Sequence, residues 1–329
     1  MRRSALEVLA CPHCLGPLDL ASDEEDVEHG TLRCDRESRK FTIVDGVPQL
    51  VRLDRVAWAR SFAEAYSRAW QRDGWGSADP DYLLDLPARD LTGRQTDKWR
   101  FKARSMEALF ALLDKLSPHR VVDLGCGVGW LSHHLARRGY QVFALDVVRD
   151  RVLGLGAAGV YVRAGPFFER VWGELERPPF RDGSVDVVVC NASLHYAASP
   201  IETVGEISRI LRPGSTLVVL NSPVHRDRKS AIRAQSDFQE RLRRLGASEQ
   251  VASKYRHFAR AEIETVISNA IGPPQEECLD PGWTFRWIRT LKGYVARMEL
   301  ASFPILWARK SFGHRSGLGP ALSLESPKR

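Results

Sequence analysis

Apolar residues recur at helical spacing from Ser105 to Leu116, where Met106, Leu109, Phe110, Leu113 and Leu116 share one face. The pattern then changes. RVVDLG is a short run of the kind a strand buried on both faces requires, and WLSHHLARRG returns to a helical repeat closed by Gly139. QVFALDV predicts a second strand. A helix-like segment starts at Arg149, although Gly154, Gly156 and Gly159 weaken it. ERVWGE predicts the third strand, SVDVVVCNA the fourth and STLVVLNSP the fifth. Between the last two, IETVGEISRILRPG reads as a helix stopped by Pro213 and Gly214. Strands alternating with helices predict a parallel sheet covered on both faces. In such sheets a ligand sits outside the carboxyl ends of the strands.

Four zones follow from the same patterning. Residues 1–53 form a small unit with CPHC near its start and the strand-like FTIVDGVPQLV at its end. Residues 54–104 predict one helix from Val56 to Gln71, then a loop and the approach to a second helix. They supply a lid rich in flat side chains, among them Tyr66, Trp70, Trp75, Tyr82 and Trp99, with Arg94 and Arg100 able to meet an anion; packing against the sheet is the plainer role for each aromatic. Residues 105–311 carry the strand–helix alternation. The tail, 312–329, has Gly, Ser and Pro without periodicity and predicts fraying.

Composition narrows the class only slightly. Hydrophobic residues make up 43% of the chain, which suits a globular protein. Glu7 interrupts the first apolar run and Cys11-Pro12 ends it, so it is too short for a signal peptide. No run approaches the ~20 apolar residues of a membrane span, and a soluble, cytoplasmic protein is expected. Six cysteines in 329 residues do not make a disulfide scaffold. The formal charge of +7 is concentrated late, with 19 Lys and Arg against 11 Asp and Glu from Asn221 onward. That excess permits RNA, anionic lipid or acidic substrates, and solubility explains it equally well.

The chemistry gathers after the first strand. Gly125, Gly127 and Gly129 follow a G-x-G-x-G spacing, not the G-x-G-x-x-G of dinucleotide turns, and Asp123 stands where those turns have an apolar residue. S-adenosylmethionine fits better. Glycines let backbone approach a ligand, and a helix N-terminus after Gly129 favours the methionyl carboxylate. Asp123 can meet the ammonium side directly or through water. Asp146, ending the second strand, can accept from both ribose hydroxyls. Glu174 is placed to accept from the adenine amino group.

These stretches carry a resemblance. VVDLGCGVGW, ALDV, GELERPPF, VDVVVCNASLHY and ILRPGSTLVVLN are similar, in order, to the motifs of class I S-adenosylmethionine-dependent methyltransferases, and look closest to the type 11 group. The resemblance covers roughly residues 104–222. It implies a Rossmann-like, doubly wound α/β fold with a seven-stranded, mostly parallel sheet. The last two strands would form an antiparallel hairpin near WTFRWIRTL and FPILWARKS. It implies that Asp123, Gly125, Gly127 and Gly129 hold the methionyl end, Asp146 the ribose and Glu174 the adenine, although the family usually has Asp at that last position. Cys126, Val147 and Asn191 complete the expected cofactor-binding set.

Methyl transfer is an in-line displacement at an activated sulfonium, so alignment and exclusion of water do most of the work. A base helps when the acceptor is a hydroxyl, phenol or acidic carbon. His195 is the best-placed candidate base, and its alternative is a packing or cofactor-shaping role. Cys190, ending an apolar strand, reads as a buried inert thiol. No Pro-Pro follows Asn191, which disfavours the amide- and amine-methylating turn.

At the N-terminus Cys11 and Cys14 have zinc-knuckle spacing, but Cys34 is followed by Glu37 where a fourth cysteine is expected. Residues 5–52 nevertheless resemble the zinc-ribbon activator subunit of tRNA and protein methyltransferases. The resemblance implies a small β domain in which Cys11, Cys14 and Cys34 with Glu37, Asp35 or His13 could complete a zinc site; a metal-free ribbon is the alternative. Such a module could also dock a partner protein. The reading favoured is an S-adenosylmethionine-dependent methyltransferase acting on a small organic acceptor at oxygen or carbon. The alternatives are an RNA methyltransferase and a non-catalytic S-adenosylmethionine-binding partner.

Overall fold

The computed structural model describes residues 1–279 and 300–312. The N-terminal unit is a four-stranded antiparallel meander, β1 (Asp19–Leu20), β2 (Gly30–Cys34), β3 (Arg39–Val44) and β4 (Val47–Pro48). In β3 the exposed and buried positions alternate, as a sheet with one wet face demands. Three helices follow: α1 (Val56–Arg72), α2 (Pro80–Asp85) and α3 (Thr96–Leu116). The last begins nine residues before the apolar repeat at Ser105 and runs across position 104, where the sequence patterning changes. Trp99 and Phe101 sit in its first turns, and Trp99 is buried.

The second sheet has seven strands. In chain order it comprises β5 (Arg120–Leu124), β6 (Gln141–Asp146), β7 (Glu169–Trp172), β8 (Val185–Asn191), β9 (Leu211–Leu220), β12 (Gln275–Glu277) and β13 (Ile305–Arg309). Its spatial order is β12-β13-β9-β8-β5-β6-β7. The five expected strands are parallel, and β13 runs antiparallel to both β9 and β12. The mostly parallel seven-stranded fold is therefore as the motifs imply. Helices α4 (Trp130–Arg137), α5 (Leu155–Ala164) and α6 (Pro200–Ile210) are the crossovers. An insertion after β9 carries β10 (Val224–His225), α7 (Arg228–Arg244), α8 (Glu249–Ala252), β11 (Phe258–Ala259) and α9 (Arg260–Ala270).

Two details differ from the patterning. The helix expected from Arg149 starts at Leu155, because the Asp150 carboxylate accepts the Val152 and Leu153 N–H groups, both at 2.8 Å, and holds a turn. Of the expected hairpin, FPILWARKS contains β13, but WTFRWIRTL lies outside the described residues. The strand beside β13 is Gln275–Glu277, a polar edge with no apolar signature to read.

The N-terminal unit closes the other edge. Leu50 N donates to Trp172 O at 2.8 Å, and Ala10 N to Pro179 O at 2.8 Å, so the module pairs with β7 and the loop beyond it. One continuous apolar cluster runs from Leu9, Phe41 and Ile43 into Phe143, Val171 and Phe180. This burial removes an exposed strand edge. It also carries the module's exit segment across the carboxyl end of the sheet. No helix among the described residues is long and apolar enough to cross a membrane.

Candidate functional site

Strand order reverses between β5 and β8, and the glycine turn lies at that switch point. Gly125 and Gly129 have φ of +82° and +80°. A Cβ at Gly125 would stand 2.4 Å from Ser193 Cβ, and one at Gly129 would stand 2.8 Å from Ala158 Cβ. These two glycines let the turn pass under the loop after β8 and against α5. At Gly127 the nearest atom to an added Cβ is Leu153 O, 3.6 Å away, so the middle of the turn is open.

Asp146 locks the turn to the end of β6. Its carboxylate accepts Gly127 N–H at 2.7 Å and Val148 N–H at 2.8 Å. Burial pushes its pKa up to about 6, against the pull of those N–H groups. Asp123 lies behind the turn, 1% exposed, and accepts the Ser132 hydroxyl at 2.7 Å. Its other oxygen is buried without a protein partner. Burial raises it to about 7, with the negative charge of Asp146 adding to the rise.

Gly125, Asp146 and Val148 border a pocket whose walls also include Val147, Glu174, Trp58, Phe62 and Lys254, while Asp123 lies behind that wall. Of the nine expected cofactor residues, the structure brings Gly125, Asp146, Val147 and Glu174 to this wall. Cys126 is buried, its thiol pushed well above the ordinary range. Asn191 points into a polar chain: Asn221 Nδ2 donates to its Oδ1 at 2.7 Å, and Ser105 donates to Asn221 Oδ1 at 3.0 Å. Glu174 reaches the pocket with its carboxylate already engaged, by Arg55 at 3.0 Å and Arg52 at 3.5 Å. The sequence does not reveal that pair, since it depends on the module's exit segment crossing the sheet.

His195 is 5% exposed and is not among the pocket-lining residues. Its Nδ1 lies 3.2 Å from Ser222 Oγ, and its ring packs on Tyr196 and Tyr255, both at 4.9 Å. Burial lowers its pKa to about 3, so it is a neutral ring one layer behind the wall. Cys190 is fully buried and pushed up to about 12, as expected of an inert thiol. Of the expected lid aromatics, Tyr66 lines the pocket. Trp75, Trp99 and Trp130 stack edge to face in a packing chain, and Tyr82 is buried. Sequence reading missed Trp58, Phe62 and Lys254. The first two precede Tyr66 at four-residue steps on α1, a signal that was available.

The ionisation of Asp146 and Asp123 has a definite sign. A carboxyl raised in the folded state favours folding most below pH ~4, and that contribution is lost as pH rises through about 6 to 7. A ligand that needs the carboxylate should bind better over the same window. Affinity for S-adenosylhomocysteine is expected to rise about tenfold from pH 5 to pH 7.5 by calorimetry.

In the N-terminal unit the sulfurs of Cys11, Cys14 and Cys34 lie within 4.8 Å of one another. Three thiols so placed fit a tetrahedral ion such as zinc. Glu37 does not join them. Its carboxylate pairs with Arg39 at 2.6 Å, while His13 Nε2 accepts Leu53 N–H at 3.0 Å. The expected fourth ligand is thus drawn away by a neighbouring guanidinium. Cys14→Ser should abolish stoichiometric zinc measured by mass spectrometry and lower the melting temperature by about 5 °C.

Residues 122–219 match the family model described as a methyltransferase domain, and residues 2–46 match that of a Trm112p-like protein. The chain joins a methyltransferase domain to a Trm112p-like domain. Similar curated proteins include a malonyl-[acyl-carrier protein] O-methyltransferase of Pectobacterium atrosepticum, 32% identical over 34% of this chain and 42% of that one. A ubiquinone biosynthesis O-methyltransferase of Ralstonia nicotianae is 36% identical over 36% of this chain and 49% of its own. The chain thus spans about half or less of the length of these relatives. Among solved structures, geranyl diphosphate C-methyltransferase from Streptomyces coelicolor has a TM-score of 0.46 at 17% identity, covering 66% of this chain and 84% of that one.

Proposed function

We propose that this methyltransferase-domain chain transfers a methyl group from S-adenosylmethionine to a small organic acceptor, at oxygen or carbon. The observation that carries the reading is the buried Asp146 carboxylate, fixed by Gly127 and Val148 N–H groups on the wall of a pocket that also holds Glu174. The fit to the donor rests on two further features. The centre of the glycine turn is open, and one Asp123 oxygen lacks a partner that an ammonium, directly or through water, would supply. When bound, S-adenosylmethionine supplies a methyl group on a positively charged sulfur.

In this reading Asp146 takes the ribose hydroxyls, and Glu174, steadied by Arg52 and Arg55, faces the adenine edge. Gly127 leaves room for the methionyl arm, while Gly125 and Gly129 let the turn seat against Ser193 and Ala158. Trp58, Phe62 and Tyr66 on α1 cover the pocket and exclude water, so the lid role of residues 54–104 falls to that helix. His195, behind Tyr196, positions the loop after β8. The three cysteines hold zinc within residues 1–53. The RNA alternative is weakened by the pairing of α7 arginines with acids: Arg241 with Asp73, Arg243 with Glu249 and Arg244 with Glu240.

Titration calorimetry with S-adenosylhomocysteine tests the reading. Saturable binding at micromolar concentration, little changed between 50 and 500 mM salt, is expected. Absence of binding would overturn it, and tRNA affinity that falls steeply with salt would favour the RNA alternative.

A further inference from the structure

The pocket has a chemical peculiarity: each acid on its wall is already committed. Asp146 holds two backbone N–H groups. Glu174 is engaged by Arg55 and Arg52. Glu176 accepts Lys254 Nζ at 2.8 Å and Ala198 N–H at 3.0 Å, and the lysine holds its carboxyl below the usual range despite burial. The two tyrosines on the wall, Tyr66 and Tyr196, are phenols pushed upward by burial, and Trp70 Nε1 donates to Tyr196 at 2.9 Å. His195 stands behind Tyr196. Among the described lining residues, none is a free base able to take a proton from a hydroxyl, a phenol or a carbon acid.

A cation, in contrast, is held ready. Lys254, from the segment joining α8 to β11, lines the pocket with its ammonium 4.5 Å from the Trp58 ring centre. Its side chain is 14% exposed. An ammonium has three donors, and Glu176 takes one. A protonated amine would first have to lose its proton, and no free base on the wall is placed to take it.

We infer that the acceptor is a carboxylate seated against Lys254, on an organic body that packs against Trp58, Phe62 and Tyr66, and that the product is its methyl ester. The inference deepens the proposed methyl transfer and rests on it. A carboxylate is already deprotonated at neutral pH, so no base is needed. One acceptor oxygen forms the O–CH3 bond with its own lone pair, while the S–CH3 bond breaks and its electrons remain on sulfur. The negative and positive charges cancel, and no proton moves. Lys254 orients the oxygen and counters its charge until transfer.

Two measurements on the full chain test this. The first begins with the S-adenosylhomocysteine complex, so that loss of nucleoside binding, which would sink the general reading, is seen separately. That complex is titrated with cinnamate, decanoate and their primary amides. The carboxylates should bind at least about 10-fold tighter than the amides. Lys254→Met should erase that preference and Lys254→Arg should keep it. Equal binding of acid and amide by a complex that does take up S-adenosylhomocysteine, or a preference indifferent to Lys254→Met, overturns the inference. The second incubates the protein with methyl-labelled S-adenosylmethionine and a bacterial small-molecule extract, then treats the product with mild alkali. Release of labelled methanol is expected from an ester. Label that stays in an alkali-stable product means an ether, amine or carbon acceptor and overturns it.

Discussion

Asp146→Asn should weaken S-adenosylhomocysteine binding by about 100-fold or more, with only a small change in thermal midpoint. The carboxylate accepts from Gly127 and Val148 with separate oxygens. An amide has one acceptor, so its NH2 would face one of those two N–H donors and push the turn or the 146–148 segment away. Charge-assisted hydrogen bonds of this kind contribute ~1.5–3 kcal/mol each, and the ribose contacts would be lost with them. Global stability should change little, because burial already penalises the charged form and pushes the carboxyl to about 6. The substitution removes that penalty while leaving one N–H unsatisfied, and the two effects oppose each other. The variant should also lose much of the pH dependence of binding between pH 5 and 7.5. Calorimetry at several pH values reads both outcomes; affinity within threefold of the parent at pH 7.5 would exclude Asp146 from nucleoside binding.

Gly125→Ala should be the most damaging single methyl added to the site. The residue has φ of +82°, and the new Cβ would lie 2.4 Å from Ser193 Cβ. Ser193 cannot easily retreat, since its hydroxyl donates to Leu124 O and anchors the loop after β8 to the end of β5. Left-handed strain costs ~1–2 kcal/mol, and overpacking adds ~1–3 kcal/mol. Gly139→Ala is the internal control. Its φ is +86°, but nothing lies within 4 Å of the added atom, so only the backbone term remains. A clearly lower thermal midpoint for Gly125→Ala than for Gly139→Ala is expected, with loss of S-adenosylhomocysteine binding only in the former. Equal shifts would mean that the loop after β8 yields freely.

What could be read from the chain and what could not divide along a physical line. Five strands, their crossover helices and the glycine turn are legible because each is a local pattern. Buried strands are apolar runs, helices repeat every three to four residues, and a bend under a neighbouring loop needs glycine. Asp146 is legible for the same reason, standing at the end of its strand, just where the ligand edge of the sheet must be. Cys11, Cys14 and Cys34 form a donor set by spacing and kind, and the sulfurs do converge.

The remaining features depend on which side chains meet, some between near neighbours and some from more than a hundred positions apart. Glu37 is turned to Arg39, His195 is withdrawn behind Tyr196, and Glu174 is gripped from 119 and 122 positions away by Arg55 and Arg52. Lys254 reaches the pocket only because the insertion after β9 folds back over α1. The chain by itself therefore determined the sheet, its ligand edge and the residue types available there. Only the tertiary structure decided which charges are already paired, since periodicity records which face of an element is buried but not what is packed against it.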